Sequence, residues 1–525
     1  MKNKWFQIRS DLYQHVLARV TQRVGKEPQD LIRYRQSFEK QFSQKWVVAS
    51  TEDLLQKVVQ ADVIFMADFH ALQQSQRTHL RILKKVSQSR PLFLALECIE
   101  AKYQKYLDAF MAGKTSEKDF LRKVRWQENW GFPWENYRPL FTWARQKKVP
   151  VYGLNIRSKK SSDMLARDQF AARKIKNLQK KHPQYQVFVI FGDLHLAPGH
   201  LPKKVFVKGQ KALHILQNSE KIYFQALKKS GKNAAEVVRL NKNTYCLLNI
   251  PPWVKWQNYL MFLEKTYDQN LDENVDYTDH VLTYAKALGK ELGLKVSLSD
   301  LSVYTATDTG FWDQVQKTCS KTEADWVARL IDEESVFYLP RTRGGYLPRG
   351  SVNQAASLAM EYLLFKSSGL QDNLLQMPDC LNHWIWMNGW SYFGSKVINP
   401  KRKTDTLMDI KGRLTNPKGH LEREPLQLAL SQKIYELGMA SGRKMPKKVF
   451  KVRRKNSYII AAELLGGLMG EKIFEAYRRN KLSPAKIREW LSTPMDSEDF
   501  RAQYFKFIQF LEEIPLSFQS KEEKI

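Results

Sequence analysis

A small set of side chains in the sequence has the chemistry to bind a metal ion or an iron cofactor. Its members are Asp68, His70, Glu97, Asn155, Arg157, Asp193 and His195. Two imidazoles and a carboxylate, as His70, His195 and Glu97 provide, are the usual ligands of zinc, iron or manganese. Asp68 and Asp193 each precede a histidine by two residues. We expect them to be further ligands or to orient the imidazole through a hydrogen bond.

The same residues also suit hydrolysis. With a bound metal ion and an open coordination position, they could activate a water molecule. His70 or Glu97 would then be the general base, and His195 a ligand or a base. Arg157 carries a planar guanidinium that pairs well with a carboxylate of a substrate or cofactor. A structural interpretation stands beside both, since a histidine that follows a strand is often a loop residue bonded to the backbone.

Short apolar runs precede these polar residues and occur again further along the chain. The runs are 61–66, 91–96, 149–154, 186–191, 212–216 and 244–250. The first four are nearly continuous in apolar residues, a pattern typical of strands buried on both faces of a parallel sheet. Helical patterns lie between them. The alternation predicts an α/β fold, with a parallel sheet flanked by helices.

The polar residues all follow the carboxyl ends of predicted strands. In chain order, the first four runs are followed by Asp68 with His70, by Glu97, by Asn155 with Arg157, and by Asp193 with His195. In an open α/β sheet, ligands bind outside the carboxyl ends of the strands. We therefore expect the four clusters to converge on one site, although they are far apart in the sequence.

The chain is expected to fold as more than one domain. It has 525 residues, whereas single cores stop growing at about 250–300 residues. The predicted parts are a helical N-terminal segment over 1–48, the α/β domain over 49–252 and a mainly helical C-terminal domain over 253–525. Two consecutive prolines at 251 and 252 mark the second boundary, because proline stops both helices and strands.

The C-terminal part shows mainly helical patterns. They cover 351–366, 426–439, 457–479, 484–491 and 497–513. Before them, the segment 336–350 has two Leu-Pro-Arg triplets around Gly344-Gly345, which predicts a loop or hairpin. We predict no specific role for residues 260–525.

The composition bears on partners. The chain has 85 Lys and Arg against 54 Asp and Glu, a formal charge of +31. Such a field attracts polyanions such as nucleic acid, anionic lipid or acidic protein, although a basic proteome would also explain it. The densest basic run lies at 443–455. It suggests either a polyanion contact or a solvated connector between helices.

Cysteine usage and hydropathy limit the class of protein. The four cysteines stand far apart, which excludes a disulfide scaffold or a zinc ribbon and suits a reducing compartment. No apolar stretch approaches the ~20 residues of a membrane span. The N-terminus alternates charged and apolar residues and shows neither a secretory signal nor a lipidation cysteine. A cytoplasmic location is therefore the expectation.

Several motifs resemble the haem-binding uptake ChaN-like family of the Tiki superfamily, which includes the erythromycin esterases. Residues 67–70 (ADFH) are similar to the family's G-E-x-H motif, Glu97 to its second glutamate, and 192–195 (GDLH) to its G-x-x-H motif. The segment 130–139 (WGFPWENYRP) resembles the family's Trp-Gly…Trp-x-x-Tyr-Arg-Pro segment, and 155–157 resembles its Asn-x-x-Arg. The resemblance covers roughly residues 45–220.

The resemblance adds haem to the candidate cofactors, beside the divalent metal (Fe, Zn or Mn) that the residues themselves suggest. The first hypothesis is therefore a haem- or iron-binding protein. Arg157 would then face a haem propionate, and the helical half would bind a partner or form a homodimer. A metal-dependent hydrolase of the same superfamily is the second hypothesis. A basic adaptor that binds nucleic acid or anionic membrane is the third.

Overall fold

The computed structural model describes residues 2–86, 90–156, 163–230, 236–268, 276–306, 308, 310–375, 379–417, 419–443 and 452–515. Arg157 and most of the basic run at 443–455 lie outside these residues. The chain divides into two compact units. One is formed by His15–Phe262, and the other by Met1–Gln14 with Leu263–Lys524.

The unit His15–Phe262 is built on a sheet with eight strands in its described residues. They are β1 (Val47–Ala49), β2 (Val63–Asp68), β3 (Leu92–Glu100), β4 (Val151–Asn155), β5 (Gln186–Gly192), β6 (Ala212–Gln217), β7 (Val237–Asn241) and β8 (Thr244–Leu247). Their order in the sheet is β1-β7-β8-β6-β2-β5-β3-β4. Strands β2 to β6 and β8 are parallel, whereas β7 is antiparallel to both neighbours. The predicted α/β fold with a mostly parallel sheet is confirmed.

The six apolar runs correspond to the six parallel strands β2 to β6 and β8. Every residue of β2, β3 and β5 is buried, which explains why these runs are continuously apolar. Burial of each large apolar side chain stabilises the fold by about 1.5–3 kcal/mol. The sequence pattern did not indicate β1 and β7. Strand β1 has three residues, and two of them, Val47 and Val48, are exposed at the sheet edge.

Helices connect the strands and cover the sheet. They are α1 (Lys2–Val24), α2 (Gln29–Lys40), α3 (Thr51–Gln60), α4 (Gln73–Val86), α5 (Gln104–Met111), α6 (Glu117–Val124), α7 (Trp126–Asn129), α8 (Trp134–Gln146), α9 (Met164–Lys181), α10 (Leu201–Val205), α11 (Glu220–Ser230) and α12 (Pro252–Asp268). A 3-10 turn, Asp193–Leu196, follows β5 directly.

The second unit is largely helical. Its helices are α13 (Thr278–Leu292), α14 (Gly310–Thr318), α15 (Lys321–Asp332), α16 (Val352–Ser368), α17 (Leu381–Ile398), α18 (Leu407–Thr415), α19 (His420–Ala440), α20 (Asn456–Arg478), α21 (Pro484–Leu491) and α22 (Phe500–Glu512). A small sheet contains β9 (Ser302–Thr305), β10 (Phe337–Leu339) and β11 (Gly344–Leu347). Strands β10 and β11 form the hairpin predicted at 336–350. No helix in the described residues is long and apolar enough to cross a membrane.

Candidate functional site

Three neighbouring strands bring polar residues together at their carboxyl ends. β2 ends in Asp68, β3 carries Glu97, and β5 leads into the turn that holds His195. His70 Nε2 lies 3.7 Å from Glu97 Oε2, and His195 Nε2 lies 3.8 Å from Glu97 Oε1. The structure therefore places two imidazoles on either side of one carboxylate.

Glu97 is buried at the centre of this group. Its Oε2 accepts a hydrogen bond from the backbone N–H of Gly192 at 2.5 Å, and its Oε1 accepts one from the guanidinium of Arg167. A Cβ at position 192 would stand 3.1 Å from His70 Nε2 and 3.2 Å from Glu97 Oε2. Glycine at this position therefore lets the backbone of β5 approach both side chains.

Asp68 accepts hydrogen bonds from four side chains. The donors are Gln76 Nε2 at 2.7 Å and His79 Nε2 at 3.2 Å on Oδ1, and His70 Nδ1 at 2.9 Å and Tyr137 Oη at 3.0 Å on Oδ2. Burial alone would raise the pKa of Asp68, but the hydrogen bonds from both histidines lower it below its ordinary value. Asp68 is therefore an ionised carboxylate that fixes the ring of His70.

His70 faces the cavity with its second nitrogen. Its Nδ1 is held by Asp68, so Nε2 points towards Glu97. The ring packs against Trp130 at 4.4 Å and Phe132 at 5.0 Å between centroids, and 21% of the side chain is exposed. Burial lowers the pKa of His70, but the Asp68 hydrogen bond and the charge of Glu97 outweigh it, and the net shift is upward.

His195 is more deeply buried than His70, with 3% of its side chain exposed. Burial lowers its pKa to about 3, so the ring is neutral at pH 7. Its Nδ1 lies 2.6 Å from Asp168 Oδ1. The Nδ1 proton is therefore donated to Asp168, and the Nε2 lone pair faces Glu97 and Arg167.

Asp168 is the carboxylate that orients His195. It lies on α9 and is fully buried, and burial raises its pKa to about 6. Its second oxygen accepts a hydrogen bond at 3.0 Å from the hydroxyl of Tyr34 on α2. Tyr34 also packs against His200, with 3.8 Å between the centroids of the two tilted rings. Helix α2 therefore contributes to the support of His195.

The remaining predicted site residues have other surroundings. Asn155 Oδ1 accepts a hydrogen bond from Arg167 Nε at 3.1 Å, so Asn155 positions the arginine that contacts Glu97. Asp193 lines the cavity, and burial raises its pKa. The carboxylate bonded to His195 is Asp168, not Asp193. Arg157 lies outside the described residues.

A cavity of about 450 Å³ opens over the two histidines. Its walls are largely apolar and include Leu17, Val20, Ile32, Phe132, Trp256 and Tyr259. Helices α1 and α2 form one wall, and α12 forms another. Arg35 also lines the cavity, where both of its terminal nitrogens contact Glu27. Such a volume with a few polar groups at one end is typical of sites for small organic ligands.

Comparison with known proteins gives a family match and a similar solved structure. Residues 54–166 match the sequence model of the family described as haem-binding uptake, Tiki superfamily, ChaN. This part of the chain is therefore similar to ChaN/Tiki domains. A structure titled "Cofacial heme binding to ChaN of Campylobacter jejuni" is similar, with 15% identity, a TM-score of 0.27, and coverage of 38% of this chain and 91% of that chain. No curated protein matches.

Several residues of this site were not predicted. Gln76 and His79 on α4, and Arg167 and Asp168 on α9, lie on helices, whereas the strand-end argument considers the residues that directly follow strands. A signal exists for Asp168, since it shares the buried face of α9 with Ala172 and other apolar residues. A polar residue on the apolar face of a helix needs a buried partner. The sequence does not show which partner that is.

The predicted metal ligands are His70, Glu97 and His195, and the contacts of their donor atoms bear on this prediction. In the described part of the chain, no group of three or more His, Cys, Asp and Glu side chains is arranged to hold a metal ion. Both oxygens of Glu97 already accept hydrogen bonds, and the cation beside this carboxylate is the guanidinium of Arg167. His70, Glu97 and His195 therefore do not fit a bare divalent ion in this arrangement.

Proposed function

We propose that the cavity of the ChaN/Tiki domain binds haem. The observation that carries the proposal is His70, whose ring is fixed by Asp68 and whose Nε2 lies at the inner end of an apolar cavity. Haem needs an axial donor for its iron and apolar walls for its ring, and it does not need three converging protein ligands. The family description supports the same ligand class.

The residues that would hold haem follow from this geometry. His70 would hold the iron through Nε2, while Phe132 and Trp256 would contact the porphyrin. Arg35 would face a propionate in place of Glu27, because its planar fork pairs with carboxylates. When bound, the group supplies an iron centre with coordination positions to fill. The part of this chain is to orient the imidazole through Asp68 and to exclude water from the ring.

A haem titration of the full chain tests the proposal. We expect a shift of the Soret band that saturates with one binding step in the wild-type protein. His70→Ala should weaken binding by about tenfold or more, because one axial bond is lost while the apolar walls remain. The dissociation constant is measured from the absorbance change.

A matched control keeps the residue type and moves it away from the cavity. His182 directly follows α9 at the opposite edge of the sheet and packs on Tyr185. His182→Ala should bind haem like the wild type. Equal weakening in both variants, or no Soret shift at all, would contradict the proposal.

A second candidate function is hydrolysis by acid–base catalysis. It is favoured by the two histidines that flank Glu97, because their environments shift their pKa values in opposite directions. Such a pair assigns the acid and the base. Neutral His195 would accept the proton of water through Nε2, and His70, whose pKa is raised, would donate a proton to the leaving group.

Ester hydrolysis assays distinguish this candidate from haem binding. They are run on the full chain with a series of aryl esters, with and without added zinc or manganese. His195→Ala should reduce kcat by about 100-fold or more, whereas its effect on the haem dissociation constant should be small because His195 is largely buried. Equal turnover in the wild type and in His195→Ala would remove hydrolysis as a function.

A further inference from the structure

The loops at the amino ends of the parallel strands form one connected face, and the cavity lies at the carboxyl ends. Each of these loops precedes a parallel strand, so the loops lie together. Backbone hydrogen bonds connect neighbouring loops, from Asp62 N to Lys211 O at 2.7 Å and from Gln186 N to Pro91 O at 2.9 Å. We call residues 61–62, 90–91, 147–150, 181–185, 206–211 and 242–243 the basal face.

The basal face is strongly basic. Its exposed lysines are Lys147, Lys148, Lys181, Lys208, Lys211 and Lys242. In these described ranges, Asp62 is the one acidic residue, and its carboxylate is taken by Arg90 at 3.3 Å and by the backbone N–H of Lys211 at 2.9 Å. The positive charge of this face is therefore uncompensated within it.

Two apolar side chains project from the same face. Phe206 is 61% exposed and Val207 is 48% exposed. They stand between the end of α10 and Gly209, where a positive φ of 86° turns the chain. Lys204 and Lys208 flank the pair in sequence. The exposed phenyl ring and the exposed valine form a small apolar tip on the basic face.

We propose that the basal face docks on the surface of an anionic lipid bilayer, with Phe206 and Val207 entering the interface between headgroups and acyl chains. Lysines near a membrane are attracted to the negative surface potential of its anionic lipids. Apolar side chains that enter the boundary add the burial of their own surface. The cavity lies at the opposite edge of the sheet, so docking leaves it open.

A lipid surface explains the composition of the face better than nucleic acid does. A polynucleotide groove combines cations with aromatic platforms for stacking. Val207 has no π-face to offer a base, yet it is exposed beside Phe206 and would be buried by a bilayer. The cations of the face are mainly lysines, which act as point charges towards phosphate and carboxylate headgroups.

Vesicle co-sedimentation of the full chain tests this proposal. We expect binding to phosphatidylcholine vesicles that contain about 30% phosphatidylserine, and little binding to phosphatidylcholine alone. Raising the salt from about 0.1 M to about 1 M should weaken binding, because the Debye length falls from about 10 Å to about 3 Å.

Two double variants test the apolar tip and the positive charge of the basal face separately. Phe206→Ala with Val207→Ala removes the apolar tip, and Lys208→Glu with Lys211→Glu reverses two charges. Each should weaken vesicle binding by about tenfold or more. The matched controls are Met408→Ala with Ile434→Ala, which are 73% and 62% exposed, and Lys411→Glu with Lys506→Glu, all in the helical unit. Both controls should bind like the wild type.

The outcomes are decisive in either direction. Loss of binding in both basal-face variants, with their unfolding curves unchanged, supports the proposal. Unchanged binding of either basal-face variant overturns it. A duplex oligonucleotide serves as the competing probe. If the chain binds this probe through Lys208 and Lys211 and does not bind the vesicles, the face is a nucleic-acid surface and the membrane proposal is wrong.

Discussion

Two carboxylate–imidazole pairs of the candidate site share one geometry and differ in burial. Asp68 bonds His70 Nδ1, and Asp168 bonds His195 Nδ1. His70 is partly exposed and its pKa is raised, whereas burial lowers the pKa of His195 to about 3. Desolvation therefore keeps the more deeply buried ring, His195, neutral at pH 7, and the carboxylates decide where each Nε2 points.

Gly192→Ala tests how tightly the site is packed. The backbone of Gly192 is in an ordinary extended conformation, so the effect of alanine is steric at His70 and Glu97. We expect haem affinity to fall by about tenfold, because overpacking shifts the imidazole. Absorbance titration measures this. Gly199→Ala is the control, since a Cβ there meets nothing within 4 Å. Equal affinities in the two variants would contradict the prediction.

Tyr34→Phe tests the support of Asp168 by α2. Without the hydroxyl, one oxygen of a fully buried carboxylate loses its 3.0 Å hydrogen bond. The free energy of unfolding should fall by about 1–3 kcal/mol, as measured by urea denaturation. Tyr435→Phe removes a hydroxyl that contacts Arg501 on the surface, and it should change stability by less than about 0.5 kcal/mol. If both variants lost a similar free energy of unfolding, the hydrogen bond from Tyr34 to Asp168 would stabilise the fold no more than a surface contact does.

At the scale of elements, the sequence was sufficient to predict the buried parallel strands and the polar residues at their carboxyl ends. In an α/β chain, a continuous apolar run usually indicates a strand that is buried on both faces. Residues that follow such strands meet at the carboxyl ends of the sheet, and this strand-end rule places Asp68, Glu97 and His195 together. The rule is silent about Arg167 and Asp168, because their position depends on how α9 packs over the sheet. Short strands such as β1 carry too few residues for a periodic pattern.

Helix α9 offers a prediction at this scale. Arg167 and Asp168 lie near its N-terminus, and Asp163 caps the helix by accepting a hydrogen bond from Ala166 N at 3.0 Å. Asp163→Ala should lower the free energy of unfolding by about 1 kcal/mol, as measured by urea denaturation. Asp163→Asn is the matched control, because asparagine caps equally well, and it should remain near the wild type. A loss of similar size in both variants would show that charge, not capping, is what matters.

At the scale of the whole molecule, the sequence did not indicate a role for the helical unit. Its helical patterns and its hairpin are confirmed, yet no motif in it carries chemistry. Its interior contains ionisable groups, including the ion pair of Lys396 and Glu471 at 2.5 Å and the buried Glu361. Patterns of apolar residues do not reveal such groups, because a glutamate on a helix is usually exposed.

Glu361 makes the stability of the chain depend on pH. Burial raises its pKa from 4.5 to about 7, so the folded state keeps a proton that the unfolded state releases. Its contribution to stability is complete below about pH 4.5 and is lost as the pH rises towards 7, up to about 3 kcal/mol. Glu361→Gln retains partners for Tyr338 N and Ser391 Oγ and cannot ionise. We expect its advantage over the wild type in urea denaturation to grow from pH 5 to pH 8. The exposed Glu498→Gln should show no such trend, and a constant difference for Glu361→Gln would mean that this carboxyl is not held protonated by burial.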